Sequence, residues 1–300
     1  MKHELRTLVT DLKAAARIGH GDSLAAALDG LRALPQVASN QPLEAAFISQ
    51  GILPMGAALT HPRLATALLR PLFNDSKAAL RSVAAVVVAL KFFDQDQVSL
   101  EDLRRFGNDS RAEVRTSLAQ ALGLAANDHP QALLSLTEQW ISGESPRLQQ
   151  VALKLIPCIA QEDPQQAVAL LANCANATDP DVRAVLVETL TALAQDGLSK
   201  DVIQLLAEWT QLPQPNTWTI ARALSGSWAA GQAQAALQIL EMLTTASGPD
   251  KQIGNTLQAL ERHGSEKAVQ EALKAWEKAA EPNLQRAAEQ FLGKQMHKSD

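Results

Sequence analysis

Hydrophobic and polar positions along the middle of this chain follow a 34-residue period. At one place in each period an apolar residue is followed by a long polar one. The four pairs are Leu80-Arg81, Val114-Arg115, Leu148-Gln149 and Val182-Arg183. Two further sets of apolar residues keep the same phase: Ala84, Leu118, Ala152 and Leu186, and Val88, Leu122, Ile156 and Leu190. A fixed period of this size predicts stacked helical hairpins, each burying its apolar face against its neighbours.

Predicted helices alternate with short breaks, which gives hairpins with the same period. The predicted helix pairs cover residues 62–73 and 77–93, 100–106 and 111–126, 130–141 and 146–161, and 164–175 and 180–195. Four of these helices begin with a proline, whose missing N–H costs nothing in a first turn and whose ring already holds a helical φ. They are Pro130, Pro146, Pro164 and Pro180. After residue 200 the period is looser.

Residues 1–60 also have helical patterns, but their apolar positions do not share the 34-residue phase. Terminal units of repeat arrays are atypical, so residues 1–60 are predicted to form a helical N-terminal cap. Residues 61–300 are predicted to form one continuous array, because no segment between the units is long enough to separate domains. The predicted fold class is all-α, and the predicted architecture is a right-handed α-solenoid of helical hairpins.

The breaks between helices carry a second regular feature. Asp75 and Asp109 each stand six residues before an arginine, Arg81 and Arg115, and Asp179 with Arg183 is a close variant. This pattern resembles HEAT repeats, which have an aspartate between their helices and a Val-Arg pair in the second helix. The resemblance covers about residues 61–300 and is strongest over 74–195, although Gln149 replaces the arginine in one unit.

The HEAT resemblance implies a structural role for these acidic and basic residues. The fork of an arginine side chain suits contacts with carboxylates and carbonyls of a neighbouring turn, which would tie one repeat to the next. The predicted structural signature consists of Asp75, Arg81, Asp109, Arg115, Asp179 and Arg183. A phosphate-binding ladder is the alternative interpretation of the three arginines.

Composition and charge narrow the classes of partner. The chain has 27 Lys and Arg against 32 Asp and Glu, a formal net charge of −5. A protein dedicated to nucleic acids usually has a basic excess, because phosphate contacts supply much of the affinity. No run of about 18 apolar residues predicts a membrane span, and the charged N-terminus is not typical of a signal peptide. Cys158 and Cys174 lie in apolar segments without CxxC spacing, which indicates reduced thiols and a cytoplasmic location.

Candidate binding residues follow from the second helix of each hairpin, which in a HEAT-like array lines the concave surface. Two columns of positions, each with the 34-residue spacing, lie opposite the apolar stripe. The columns are Val86, Gln120, Lys154, Glu188 and Arg222, and Ser82, Thr116, Gln150, Ala184 and Trp218. The predicted binding site consists of Lys154, Glu188, Trp218 and Arg222, with Gln120 and Gln150 beside them. The alternative interpretation is a solvated face whose mixed charges keep a long helical surface soluble.

Motifs for catalysis and for cofactors are absent from the sequence. No HExxH, GxSxG, GxGxxG or GxxxxGK[ST] pattern occurs, and the six histidines are scattered without the spacing of a metal site. The sequence therefore predicts no metal, no cofactor and no catalytic residue. Whether the chain is an enzyme stays open, with a non-catalytic role favoured.

The favoured function is a HEAT-like scaffold or adaptor that binds a protein or peptide partner in a concave groove. The alternative is a DNA-binding or DNA-repair protein of the kind formed by HEAT-like alkylpurine DNA glycosylases. Those enzymes are similar in size to this chain, and the tryptophan, acid and arginine of their grooves are loosely similar to Trp218, Glu188 and Arg222. No motif matches. A third interpretation, a helper of protein modification similar to HEAT-containing chromophore lyases, has no particular feature in its favour. The sequence specifies neither the partner nor the oligomeric state.

Overall fold

A computed structural model of the chain describes residues 2–61, 70–93 and 98–296, and within these ranges every regular element is helical. The predicted all-α class is therefore confirmed. Contacts divide the chain into two compact units, Met1–Ile159 and Ala160–Asp300. The predicted division into a cap over 1–60 and an array over 61–300 stays a prediction. Most of the helix predicted over 62–73 lies outside the described residues, which include only its last turn, Arg70–Phe73.

The first unit consists of helices of very different lengths. They are α1 (Lys2–Ile18), α2 (Gly21–Ala33), α3 (Pro35–Ala38), α4 (Ala45–Phe47), α5 (Leu53–Leu59), α6 (Arg70–Phe73), α7 (Ala78–Phe92), α8 (Leu100–Gly107), α9 (Ala112–Ala125), α10 (Pro130–Ile141) and α11 (Pro146–Glu162), the last of which continues into the second unit. A π-helical turn, Ile48–Ile52, joins α4 to α5, and a 3₁₀ turn, Ala126–Asp128, follows α9.

Helix α7 forms the centre of the first unit. Eleven of its residues are buried, because α5 packs on one side of it and α9 on another. Gly56 in α5 makes the first contact close, since a Cβ atom there would lie only 2.4 Å from the Cγ1 of Val86. Val86 and Ser82 were expected in the exposed columns, but they are 1% and 0% exposed. That expectation was wrong because α5 covers this face of α7.

The second unit consists of helices that are more similar in length, between 8 and 15 residues. They are α12 (Pro164–Ala172), α13 (Pro180–Leu193), α14 (Ser199–Thr210), α15 (Thr217–Leu224), α16 (Ala233–Ser247), α17 (Lys251–Leu260), α18 (Glu266–Glu277) and α19 (Pro282–Met296). A 3₁₀ turn, Ser227–Gln232, precedes α16. The sharp joints after α13 and α17 depend on Gly197 and Gly264, whose φ angles of 103° and 96° disfavour any residue with a side chain.

Helices of the second unit pack in two rows. Helix α15 packs between α13 and α17, while α14 packs against α12 and α16, and α16 against α18. A buried hydrogen bond crosses the first of these rows, from the Oγ1 of Thr256 in α17 to the carbonyl oxygen of Ala221 in α15, at 2.8 Å. From α12 to α18, alternate helices therefore lie in the same row.

Apart from half-buried Leu148, the apolar positions of the 34-residue period are buried in both units. Leu118 and Ala152 in the first unit and Leu186 in the second are each 0% exposed, as are Leu122 and Leu190. The predicted phase of the core is confirmed at these positions. Pro130, Pro146, Pro164 and Pro180 are the first residues of α10, α11, α12 and α13. The predicted starts of these four helices are therefore confirmed as well.

Both cysteines are free thiols; Cys158 lies in α11 and Cys174 lies in the turn that follows α12. Burial raises the pKa of Cys174 to about 12 and also raises the pKa of Cys158, so both stay protonated near neutral pH. Among the described residues, no helix combines the length and the apolar character needed to cross a membrane.

Candidate binding surface

The arginine ladder of the first unit is a set of short, charge-assisted contacts between successive helix breaks. Arg81 in α7 forks onto Asp109, with Nε to Oδ2 at 2.7 Å and Nη2 to Oδ1 at 3.1 Å. The same side chain donates from Nη1 to the carbonyl oxygen of Asp75 at 2.8 Å. A bidentate pair of this kind fixes orientation as well as adding attraction. Arg81 thus joins the break before α7 to the break before α9.

Electrostatics of the Arg81–Asp109 pair follow from this geometry. Burial alone would raise the pKa of Asp109, but hydrogen bonds from Arg81 and from the backbone N–H of Arg111 outweigh it and hold that pKa below its ordinary value. The hydrogen bond to Asp109 in turn raises the pKa of Arg81. Both groups stay charged at neutral pH, so this pair is an ion pair in the folded chain.

Arg115 repeats the arrangement one period later, with one partner changed. Its Nη1 donates to the carbonyl oxygen of Asp109 at 2.7 Å, and its Nη2 donates to the Oε1 of Gln150 at 2.9 Å. Gln150 was predicted in the binding site, but it is only 6% exposed. The reason is that Arg115 is itself buried and needs an acceptor, which the Gln150 amide supplies. Gln150 therefore belongs to the interior of the first unit.

Helix α2 extends the ladder into the segment predicted as a cap. Arg32 donates to the Oδ2 of Asp75 from Nη2 at 2.7 Å and from Nε at 3.2 Å. The backbone N–H of Lys77 donates to the other oxygen of Asp75 at 2.8 Å. Sequence reasoning missed Arg32 because it lies outside the 34-residue phase. Its signal was Asp75 itself, because a largely buried carboxylate is stabilised by a charged donor.

One hydrogen bond recurs at the polar residue of the period in both units. In each case the side chain donates to the carbonyl oxygen six residues earlier, in the break before its own helix. The donors are Arg81 at 2.8 Å, Arg115 at 2.7 Å, Gln149 at 2.7 Å and Gln285 at 2.8 Å. Gln149 therefore replaces arginine without loss of this contact, since an amide N–H reaches the same carbonyl. Gln285 stands a whole number of periods after the others, so the period persists to the last helix.

Arg183 departs from this pattern. The carbonyl oxygen six residues before it belongs to Ala177, and that oxygen accepts instead from the Nδ2 of Asn216 at 3.0 Å. Asn216 also caps α15, because its Oδ1 accepts from the backbone N–H of Thr219. The guanidinium of Arg183 lies over the indole of Trp218, with Cζ 5.1 Å from the ring centroid. Its Nε is buried without a hydrogen-bond partner among the described residues.

Asp179 completes the predicted signature without touching an arginine in the described chain. Its Oδ1 accepts from the backbone N–H groups of Asp181 and Val182 at 3.0 and 2.9 Å, so it is the N-cap of α13. Asp75 and Asp109 accept comparable backbone bonds and an arginine in addition. The second unit therefore keeps the helix-capping function of this aspartate and not its ion pair.

Trp218 and Arg222 form the exposed face of α15. Trp218 is 38% exposed and Arg222, four residues further, is also exposed. Residues four apart lie on the same side of a helix, so their side chains are neighbours. Glu188 is exposed on α13, which packs against α15. Three of the predicted binding residues therefore lie on exposed faces of two adjacent helices.

The other predicted binding residues belong to the first unit. Gln120 is exposed on α9. Lys154 on α11 is half-buried and its Nζ donates to the Oγ1 of Thr116 at 3.0 Å. A single site that combines Lys154 with residues of the second unit stays a prediction.

Two pockets of the described chain lie away from these helices. A pocket of about 160 Å³ lies between α17 and α19, with Asp250, Lys251 and Phe291 among its lining residues. A wider one of about 460 Å³ lies between α1 and α5, with Lys13, Arg17 and His61 in its wall. Across the described ranges no three His, Cys, Asp or Glu side chains come together as a metal site would require.

Comparison with known proteins adds no relative. Neither the models of protein families nor the curated proteins give a match to this chain.

Proposed function

We propose that this chain is a HEAT-like α-solenoid that serves as a non-catalytic scaffold or adaptor for a protein partner. The observation that carries the proposal is the reuse of one hydrogen bond, from side chain to the carbonyl six residues earlier, at Arg81, Arg115, Gln149 and Gln285. A contact that recurs in step with the 34-residue period supports stacked copies of one hairpin. The two rows of helices in the second unit support the same architecture.

Contacts between successive breaks add further support for the repeat. Side chains near the start of a helix donate to a carbonyl in the preceding break, 38 or 39 residues back. These bonds join Lys77 to Ala38, Arg147 to Asn108, Asn216 to Ala177 and Asn283 to Thr245, at 2.6, 2.8, 3.0 and 3.1 Å. Each links one hairpin only to the one before it, which is how a solenoid gains its stability.

A protein partner is favoured over DNA on the charges. The guanidinium groups of Arg81 and Arg115 already bond to Asp109, Gln150 and carbonyl oxygens, so they form a structural ladder in place of a phosphate ladder. Residues 160–224 contain eight Asp and Glu against three Lys and Arg. Affinity for a phosphate backbone rises with the number of phosphates neutralised, which disfavours DNA on this surface. The free thiols Cys158 and Cys174 support a cytoplasmic location.

Photo-crosslinking from defined positions tests this proposal. A photoreactive amino acid is placed in the full chain at Gln120 or Glu188, which are exposed on α9 and α13. Matched control positions are Gln204 and Gln270, which are exposed on α14 and α18 in the other row of the second unit. We expect a discrete protein partner to be crosslinked in nuclease-treated lysate from Gln120 or Glu188 and not from the controls. Equal crosslinking from all four, or recovery of nucleic acid instead of protein, would contradict the proposal.

A further inference from the structure

We infer that Arg183, Trp218 and Arg222 form a binding site for a short acidic segment of the partner protein. This inference rests on the proposed function and specifies the chemistry of the partner. It places two guanidinium groups against carboxylates of the partner and the indole of Trp218 against an adjacent apolar side chain. The site lies entirely within the second unit, on α13 and α15.

Arg183 is released from the structural contact made by its counterparts. Arg81 and Arg115 each donate to the carbonyl six residues earlier, whereas Asn216 occupies the carbonyl that Arg183 would use. No carboxylate lies within ion-pair distance of Arg183 in the described part of the chain. A half-buried arginine without an anionic partner keeps its positive charge available, which points to a partner from outside.

The indole ring of Trp218 lies beneath the guanidinium of Arg183. At 5.1 Å from the ring centroid, the guanidinium is held by a cation–π contact with Trp218. That contact already restricts rotation about the bonds of the Arg183 side chain. Less conformational entropy is therefore lost when the side chain binds a carboxylate. The Nε of Arg183 is buried, while neither Nη group has a partner among the described residues, and these two donors match the two oxygens of a carboxylate.

Arg222 is a second cation on the same face. Arg222 follows Trp218 by four residues, is exposed, and has no ion pair within the described ranges. The two arginines therefore flank the one tryptophan in the described chain that is more than one-third exposed. Tryptophan and arginine are the residues most enriched at the energetic centres of protein interfaces.

Charge outside the site limits how long the acidic segment is. Asp181 and Glu188 are exposed on α13, and residues 160–224 as a whole carry five more acidic than basic groups. A long polyanion such as duplex DNA would meet these acids beyond the two arginines, while a segment with two or three carboxylates would not. An acidic peptide therefore fits this surface better than a nucleic acid.

The test measures binding of defined probes to the purified full chain by fluorescence anisotropy. The probes are a labelled peptide with Glu residues around one Leu, the same peptide with Gln in place of Glu, and a labelled DNA duplex. We expect the Glu peptide to bind more tightly than both others. Arg183→Gln and Trp218→Ala should each weaken that binding by about ten-fold or more, the size of a hot-spot loss.

Matched variants separate recognition from general charge. Arg262→Gln removes one exposed positive charge elsewhere on the second unit and should leave binding of the Glu peptide unchanged. Arg183→Lys keeps the charge without the planar fork and should retain only part of the affinity. Bound peptide should also protect Trp218 from acrylamide quenching, a signal that the Trp218→Phe variant would lack.

Other outcomes overturn this inference in distinguishable ways. If the Glu and Gln peptides bind equally, or if Arg183→Gln has no effect, the acidic-segment site is wrong. Tighter binding of duplex DNA than of the Glu peptide, lost in Arg183→Gln, would assign the site to nucleic acid instead. Photo-crosslinking of a protein partner from Gln120 or Glu188 would still support the scaffold in the first case, so failure of the site differs from failure of the proposed function.

Discussion

The two units use the same position of the repeat in opposite ways. In the first unit, Arg81 and Arg115 are tied into the breaks between helices and are largely covered. In the second unit, Arg183 leaves its carbonyl to Asn216 and stacks on an exposed tryptophan. The same sequence position and residue type can thus be bonded within the fold or left without that bond, depending on a single neighbouring side chain.

Charge follows the same division. Residues 1–159 contain 16 Lys and Arg against 15 Asp and Glu, whereas residues 160–300 contain 11 against 17. Much of the positive charge in the first unit is paired within the fold, as in Arg32 with Asp75 and Arg81 with Asp109. In the second unit the few arginines have fewer internal partners among the described residues. The acidic net charge of the chain is therefore a property of its second half.

Truncation of the core should have the largest effect and should be similar in the two units. Leu122→Ala and Leu190→Ala each remove a fully buried side chain, at a cost of roughly 2–5 kcal/mol in the free energy of unfolding. Chemical denaturation of the full chain measures this cost. In the proposed linear array each defect should also loosen its own unit first, which hydrogen exchange resolves by position. Wild-type stability in both variants would show that the 34-residue phase is misassigned.

The ion pair of the first unit should show strong coupling. A double-mutant cycle with Arg81→Ala and Asp109→Ala should give an interaction free energy of about 1–3 kcal/mol, because the pair is bidentate and mostly covered. A cycle with Arg183→Ala and Asp179→Ala serves as the control from the second unit and should give nearly none. Equal coupling in the two cycles would remove the difference between the units.

Asn216 should determine whether Arg183 stacks on Trp218 or donates to the carbonyl oxygen of Ala177. Asn216→Ala removes the cap of α15, at a cost of about 1 kcal/mol, and exposes the carbonyl oxygen of Ala177 to a new donor. We expect Arg183 to move toward that carbonyl and away from Trp218, which would increase quenching of Trp218 by acrylamide. The Asn216→Asp variant, which keeps the cap acceptor without the Nδ2 donor, should give the same increase with less destabilisation.

Acid should weaken the first unit through Asp109. Its folded pKa is lowered, so its stabilising contribution is present above its unfolded pKa of about 4 and is lost as the pH falls through the folded value. The difference in unfolding free energy between wild type and Asp109→Asn should therefore be constant near neutral pH and shrink in acid. Asp128→Asn, at an exposed position, is the control for the loss of one carboxylate. A difference that grows in acid would reverse the assigned sign.

The sequence predicted the all-α class and the burial of Leu118, Ala152 and Leu186. This was possible because the geometry of a helix places regularly spaced apolar residues on one face, whichever helix packs against that face. It did not predict that Val86 and Gln150 are buried. Val86 is covered by α5, a helix from outside the period, and Gln150 is held by Arg115, a contact between residues far apart in sequence. Spacing identifies a face of a helix, and it does not identify what lies against that face.

For the candidate surface the sequence predicted which residues are exposed, but it did not predict the contacts that they make. Trp218 and Arg222 were placed on one face by their spacing, and both are exposed. Arg183 was assigned to the structural ladder because it matches Arg81 and Arg115 in sequence. The difference arises at Asn216, whose side chain reaches a carbonyl 39 residues away. Such a substitution of one donor by another leaves no mark on hydrophobic periodicity.

The difference between Arg115 and Arg183 is tested most directly by one paired measurement, the unfolding free energies of Arg115→Ala and Arg183→Ala in the full chain. Arg115→Ala leaves the acceptors of Asp109 and Gln150 buried without a donor, so a loss of roughly 1–3 kcal/mol is predicted. Arg183→Ala removes a side chain with no internal hydrogen bond among the described residues, so a change within about 0.5 kcal/mol is predicted. Equal losses in the two variants would contradict the account.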